Sequence, residues 1–381
     1  MSRQPVPLGD HTDILSGFAF PSDGFNTEEG IPLIRIRDVI RGTTETRFRG
    51  EYDPTYVVTN GDTLIGMDGE FNVGTWQSEP ALLNQRVCRI KARATVDQRY
   101  LFHFLPEALK SIEERTSFVT VKHLSVKDIR AIAIPLPPIE EQRRIAAILD
   151  EAEALRAKRR QALTKLDTLT QSLFLEMFGE PLSNPKNWPK LALGDLLVLH
   201  QYGPRFYNET YTESGIKIVR ITDLDSRGKL DFSEMPKLNV SESDQQKFLL
   251  KPGDIVFART GATVGKLGRI RKGDPPCIAG AYFIRLRFHV DKVEPDYAQY
   301  VLASPRMQAT IAKQSRQAAQ QNFSGPALRR LQIPLPSIAL QRSFAQHLRQ
   351  LDGIEKSINL SHEKLDHLFP SLQHRAFRGE L

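Results

Sequence analysis

IPLPPIEEQ, Ile134 to Gln142, returns as IPLPSIALQ, Ile333 to Gln341, and this repeat decides the fold. Position 134 matches 333, an offset of 199. The same offset holds downstream, where Lys165-Leu166-Asp167 matches Lys364-Leu365-Asp366 and Phe178 matches Phe377. Upstream it shrinks. NGDTLIG from Asn60 matches PGDIVFA from Pro252, GIPLIRIRD from Gly30 matches GIKIVRITD from Gly215, and Leu8-Gly9-Asp10 matches Leu193-Gly194-Asp195. The anchors keep their order while the spacers drift, which marks an internal duplication. The chain reads as module, helix, module, helix, with expected bounds 1–138, 139–180, 181–337 and 338–381.

Each module leaves through IPLP and enters a long helix. Proline suits a helix start, where its missing N–H has no partner to lose. Ser337 is a candidate N-cap in the second copy. No glycine or proline interrupts 139–178, enough for about 60 Å of helix at 1.5 Å per residue. The second copy holds Gly353 and Pro370, and the proline is expected to kink or end it near Phe369. Heptads run through both. Ile145, Ala152, Leu166 and Leu173 form one row, broken by Arg159. Ile148, Leu155, Ala162 and Leu169 form a second, displaced by three. Phe344, Leu351, Ile358, Leu365 and Leu372 form an unbroken row in the second helix, with Leu348, Phe369 and Ala376 beside it. Such stripes predict a coiled coil. Heptads alone leave parallel and antiparallel pairing open.

The modules read as mixed α/β, of the α+β class. Strands are expected over Leu33 to Ile36, Ile216 to Ile221, Thr63 to Gly66, Ile255 to Ala258, Val87 to Ile90 and Tyr282 to Phe288. Helices are expected over Tyr100 to Glu114 and Tyr297 to Gln314.

A formal charge of +7 and a pI near 9.3 suit a polyanionic partner. Cys88 and Cys277 form no CxxC pair and read as buried thiols of a reducing compartment. MSRQPVPLGDHTD has no apolar core for a signal peptide, and no run of 18 apolar residues exists. No membrane is expected, and the compartment is the bacterial or archaeal cytoplasm.

Enzyme motifs fall short. GATVGKL at Gly261 lacks both the spacing and the Ser/Thr of a phosphate loop. DPPC at Asp274 lacks the aromatic of an amino-methyltransferase and reads as a turn. No HExxH, GxSxG or spaced metal cluster is present, so no cofactor or metal is expected. His103 and His123 read as structural or surface residues. A diverged methyltransferase or nuclease, or an adaptor that binds only proteins, remains the competing reading.

The polar groups suit recognition instead. Met67-Asp68-Gly69-Glu70-Phe71-Asn72-Val73-Gly74 and Arg259-Thr260-Gly261-Ala262-Thr263-Val264-Gly265-Lys266 are matched loops with different side chains. Base edges and phosphates are met by such groups. The candidates are Asn72, Asn84, Gln85, Arg86, Lys122 and His123 in the first module. In the second they are Tyr202, Arg205, Arg259, Thr260, Lys266, Gln321 and Asn322. Arg35, Arg37 and Arg220 are further candidates that could equally face solvent from strands.

IPLPPIEEQRRIAAILDEAE, IPLPSIALQRSFAQHL, GDIVFARTGATVGK, SGFAF at Ser16 and the terminal HRAFRGEL together resemble the specificity subunit of type I restriction–modification systems. The resemblance spans the whole chain. It implies two target recognition domains, each reading half of a bipartite site in double-stranded DNA. It implies that the helices pair as an antiparallel coiled coil and set the unread spacer. It further implies two methyltransferase subunits docked on the helices and modules, with restriction subunits joining, and catalysis left to those partners. IALQ in place of IEEQ puts the equivalence of the two docking faces in question.

Overall fold

The structure, a computed structural model, describes residues 4–115, 122–206, 210–225, 228–316 and 322–381. It divides into two compact units, Met1–Gln161 with Asn359–Leu381, and Ala162–Ile358.

In the first unit a four-stranded antiparallel sheet runs Thr12–Ser16, Val87–Ala92, Thr63–Gly66, Val73–Thr75 in spatial order. A second sheet places Ile31–Ile34 parallel to Ala81–Leu83, with Leu33 opposite Leu82. Alternate residues of the central strands serve different cores, because successive side chains point to opposite faces. Leu64 and Val87 pack with Ile34, Trp76 and Leu83 between the sheets. Ile65, Cys88 and Ile90 pack under helix Gln98–Arg115 and the start of the first long helix, against Tyr100, Leu105, Ile145 and Leu149. Thr63–Gly66 is therefore buried throughout and shows no polar alternation.

The second unit repeats this plan. Its four-stranded sheet runs Leu197–Tyr202, Phe283–Phe288, Ile255–Ala258, Leu267–Arg269, and Ile216–Val219 lies parallel to Cys277–Ala279. The α+β duplication is thus written in the strand order as well as in the sequence. The module helix breaks into Pro295–Ala303 and Pro305–Arg316, because Ser304 precedes a proline and is held extended.

Sequence and structure differ at the ends of the parallel strands. The expected strands over Leu33 to Ile36 and Ile216 to Ile221 stop at Ile34 and Val219. Single-turn helices follow, Ile36–Asp38 and Ile221–Asp223. The buried carboxylates of Asp38 and Asp223 accept the Arg35 and Arg220 amides at 2.9 and 2.7 Å, which closes the turn early.

The long helices run Ile139–Phe178 and Ile338–Arg378. Ser337 caps the second weakly, its hydroxyl accepting from the Leu340 amide at 3.4 Å. Pro370 does not end that helix. It lacks one N–H, but the turns beyond it are held by packing of Leu372, Ala376 and Phe377 into the first unit's core. The pairing is antiparallel. In the first unit Arg144 donates to the Leu381 carbonyl, and Arg156 meets Asp366 at 2.6 Å and lies over the Phe369 ring. In the second unit Phe174 and Phe178, at the end of one helix, pack on Phe344 at the start of the other. The inward rows include Ile145, Leu166 and Leu173, and all of Phe344, Leu351, Ile358, Leu365 and Leu372. Ile148 is half-buried, whereas Leu155 and Leu169 are exposed. The second inward row lies four residues on, not three: Leu149, Arg156, Leu163, Thr170 and Met177. Arg156 and Thr170 disguise it, because an arginine stem buries while its head finds a carboxylate.

One bond set fixes each helix to its module. Gln142 and Gln341 are buried. Gln142 Oε1 accepts from the Asp97 amide at 2.9 Å, and its Nε2 donates to the Thr95 and Pro137 carbonyls. Gln341 makes the same three bonds, to Glu294, Lys292 and Pro336. Tyr100 and Tyr297 donate to the Pro135 and Pro334 carbonyls at 2.8 and 2.7 Å. Gln142→Ala strands these buried groups at about 1–3 kcal/mol each. It should speed hydrogen exchange of the Asp97 amide and leave that of Glu294 unchanged. Equal protection of Asp97 in variant and parent would show that the glutamine is not the bolt.

Candidate nucleic-acid interface

In each unit three loops meet at one end of the four-stranded sheet, joined by backbone bonds. In the first module the Met67 amide donates to Arg86 O, and the Leu124 amide to Met67 O, both at 2.8 Å. Asp68 bridges His123, and Gly69 donates to Lys122 O. The second module repeats the frame. Arg259 donates to Tyr282 O, Phe323 donates to Arg259 O, and Thr260 bridges Asn322. A fourth segment closes the group. The Gly17 amide donates to Val87 O in one copy and the Gly203 amide to Phe283 O in the other.

The same frame carries different side chains. In the first module Arg86, at φ 70° in the left-handed region, places its Nε 3.3 Å from Asp68 Oδ2. Its Nη1 lies 3.0 Å from His123 Nδ1, which in turn is 2.7 Å from Asp68 Oδ1. In the second module the Arg259 guanidinium lies over the Tyr202 ring at 4.7 Å, and its Nε donates to Asn322 Oδ1 at 3.2 Å. The Tyr202 hydroxyl accepts from the Gly325 amide at 3.0 Å, which fixes the ring. Behind it burial, and then the Arg329 charge, push the His200 pKa down.

Other candidates stand elsewhere or serve the frame. Asn84 is buried and caps the Gln85 amide, leaving the Gln85 side chain exposed. Asn72 closes its hairpin by accepting from the Gly66 amide. Lys122 is paired with Glu113 at 2.8 Å. Arg205 is exposed on the loop after Tyr202. Lys266 lines a cleft with Gln171, Phe174 and Gln308 instead of joining Arg259. Gln321 lies outside the described residues. The Arg220 guanidinium is committed to Asp223 and the Glu234 carbonyl, and its bond to Asp223 raises its pKa. Arg37 reaches Thr46 at 3.3 Å, and Arg35 is exposed before its turn. Three further residues belong to the candidate interface. Asp68 was visible only as a loop acid. Phe18 and Tyr282 are exposed aromatics, Tyr282 occupying the position that matches Arg86.

The other motifs are structural. Gly261–Thr263 is a single helical turn between strands. Asp274 accepts from the Arg271 amide in a tight turn. Burial pushes the Cys88 and Cys277 thiols up to about 12. Among the described residues His103, Asp150 and Glu153 alone stand close enough to share a metal ion. His103 Nε2 is 2.7 Å from Asp150, and the Arg99 guanidinium already pairs with that carboxylate. Burial opposes the charge on Asp150, but the bonds from Arg99 and His103 outweigh it and hold the pKa low. A resident cation there would face the guanidinium. No described helix is long and apolar enough to cross a membrane.

Two repeats, one loop frame in each and antiparallel helices define a duplicated reader on a helical support. The type I restriction modification DNA specificity domain family matches residues 3–165 and 185–364, and the chain belongs to it. This is the family of non-catalytic specificity subunits, which work with methyltransferase and restriction subunits and DNA. The chain is 32% identical over 411 residues to the Type I restriction enzyme EcoBI specificity subunit of Escherichia coli, covering 99% of this chain and 85% of that one. It is 24% identical to the MjaVIII specificity subunit of Methanocaldococcus jannaschii, over 92% of this chain and 86% of that one. Among solved structures it resembles the S subunit of a type I system from M. genitalium, with TM-score 0.60, 14% identity and coverage of 99% and 96%.

A Cβ at Gly17 would run into the Asn84 carbonyl, and one at Gly203 into the Gly280 carbonyl. Gly17→Ala should displace the Asn84–Arg86 loop and weaken DNA binding by the assembled complex by roughly tenfold or more, as expected for loss of a bidentate base contact. Parent-like binding would place the interface elsewhere.

Proposed function

We propose that each module reads one half of a bipartite site in double-stranded DNA through its three-loop cluster. The observation that carries this is one backbone frame with different side chains, Asp68, Arg86 and His123 against Thr260, Tyr282 and Asn322. A common frame with changed polar groups suits two readers of different sequence. The modules are 1–138 and 181–337, and the helical segments 139–180 and 338–381 set the unread spacer. Two methyltransferase subunits dock on helices and modules, with restriction subunits completing the complex in the cytoplasm. Exposed Leu155 and Leu169, together with Ile354, Leu360 and Leu368, offer apolar contacts for that docking.

Binding should be steeply salt-dependent, log affinity falling about 0.9 per neutralised phosphate for each decade of salt. Mapping methylated sites in DNA exposed to the complex tests the two-reader model, and one uninterrupted site would refute it. A heptad inserted in each long helix should lengthen the spacer while both half-sites stay unchanged. Methylation at the parent spacing would remove the helices from the measuring role.

A further inference from the structure

The two copies place a guanidinium beside the same backbone position, but from different chain positions. Arg86 comes from the loop before the central strand and contacts His123. Arg259 comes from the end of the neighbouring strand and contacts Asn322, the counterpart of His123. The repeat itself does not preserve either arginine. Arg86 is matched by Tyr282 and Arg259 by Met67. A cation kept in place while its chain origin changes points to a demand of the ligand, not of the fold.

The anchoring is also alike. In each case the Nε edge is held by a side-chain oxygen, Asp68 Oδ2 or Asn322 Oδ1. Arg86 is further fixed by its left-handed backbone and Arg259 by the Tyr202 ring. Holding Nε orients the outer edge of the fork, where Nη1 and Nη2 each carry two hydrogens. Among the described residues the terminal nitrogens of Arg259 have no hydrogen-bond partner. Two parallel N–H donors match two adjacent acceptors. In the major groove guanine alone offers such a pair, O6 and N7. A phosphate's two non-bridging oxygens can take the same fork, so base dependence and the salt slope separate the two ligands.

We propose that Arg86 and Arg259 are the guanine readers of their modules, so that each half-site contains a G·C pair fixed by one arginine. This rests on the reading of each module as a half-site reader. Asp68, His123, Asn322 and Tyr202 are positioning residues that act through the guanidinium.

The test uses the full chain assembled with its methyltransferase subunits, with methylated-site mapping and binding to duplexes carrying single base changes. Replacing the G·C pair by A·T in one half-site should weaken parent binding roughly 5- to 150-fold. Arg86→Ala should abolish that discrimination in one half-site and leave the other untouched, and Arg259→Ala should do the reverse. Arg86→Lys keeps the charge and loses the fork, so it should keep the salt slope yet lose the discrimination. Asp68→Asn should weaken discrimination more than overall binding. Uniform loss of binding on all sequences, with a shallower salt slope, would make Arg86 a phosphate contact and overturn the assignment. A two-part site lacking guanine in either half would overturn the arginine assignment alone. A parent complex that modifies no two-part site would bring down the half-site reading with it.

Discussion

A buried side-chain amide at the start of each long helix holds the architecture together. Gln142 and Gln341 carry two donors and an acceptor into sites closed to water, and every one of those groups is satisfied by backbone. A glutamine in that position must join three chain segments at once. It ties the proline exit, the loop before the module helix and the first turn of the long helix. The tyrosine hydroxyls on the prolyl carbonyls close the same joint from the other side. Whatever the module reads, it reads from a fixed seat on the helix.

Around that shared joint the charges differ between the copies. In the first unit Arg99 and His103 meet Asp150 of the long helix. In the second, Arg271 meets Asp352, and Lys229 meets Glu355 at 2.5 Å. Arg269 pairs there with Asp296, both largely buried. Burial raises the Asp296 pKa, and the Arg269 charge works against that rise. Losing one partner of such a pair leaves an uncompensated charge, which costs far more than the pair contributes. The polar amide joint is therefore common property, while the ion pairs to Asp150 in one copy and to Asp352 and Glu355 in the other key each module to its own stretch of helix.

This division explains what the sequence disclosed. IPLPxIxxQ was legible because its residues bond to backbone, and a backbone partner is present in both copies. The Gly-Asp turns were legible for the same reason. Asp62 and Asp254 are buried and accept amides of their own turns, from Thr59 and Lys251. The second helical row was misread, since Arg156 and Thr170 occupy seam positions while Leu155 and Leu169 face outward. Periodicity weighs residue type, and a stem that buries beneath a paired head escapes it. The candidate interface was legible only as scattered polar residues. That Asp68, Arg86 and His123 form one group depends on strand pairing over long separations, which no local pattern encodes.

The candidate reading surface can change without the fold changing. The bonds that assemble the three loops run from amide to carbonyl, Met67 to Arg86 and Leu124 to Met67 in one copy, Arg259 to Tyr282 and Phe323 to Arg259 in the other. None of them requires a particular side chain. Glycine is demanded at positions 17 and 203, where a neighbouring carbonyl occupies the space of a Cβ. Elsewhere in the frame an aspartate can stand for a threonine, a histidine for an asparagine and an arginine for a tyrosine. A scaffold of main-chain bonds thus separates the residues that hold the loops from those that differ between the copies. Two modules descended from one ancestor can in this way keep a common seat while their polar edges diverge.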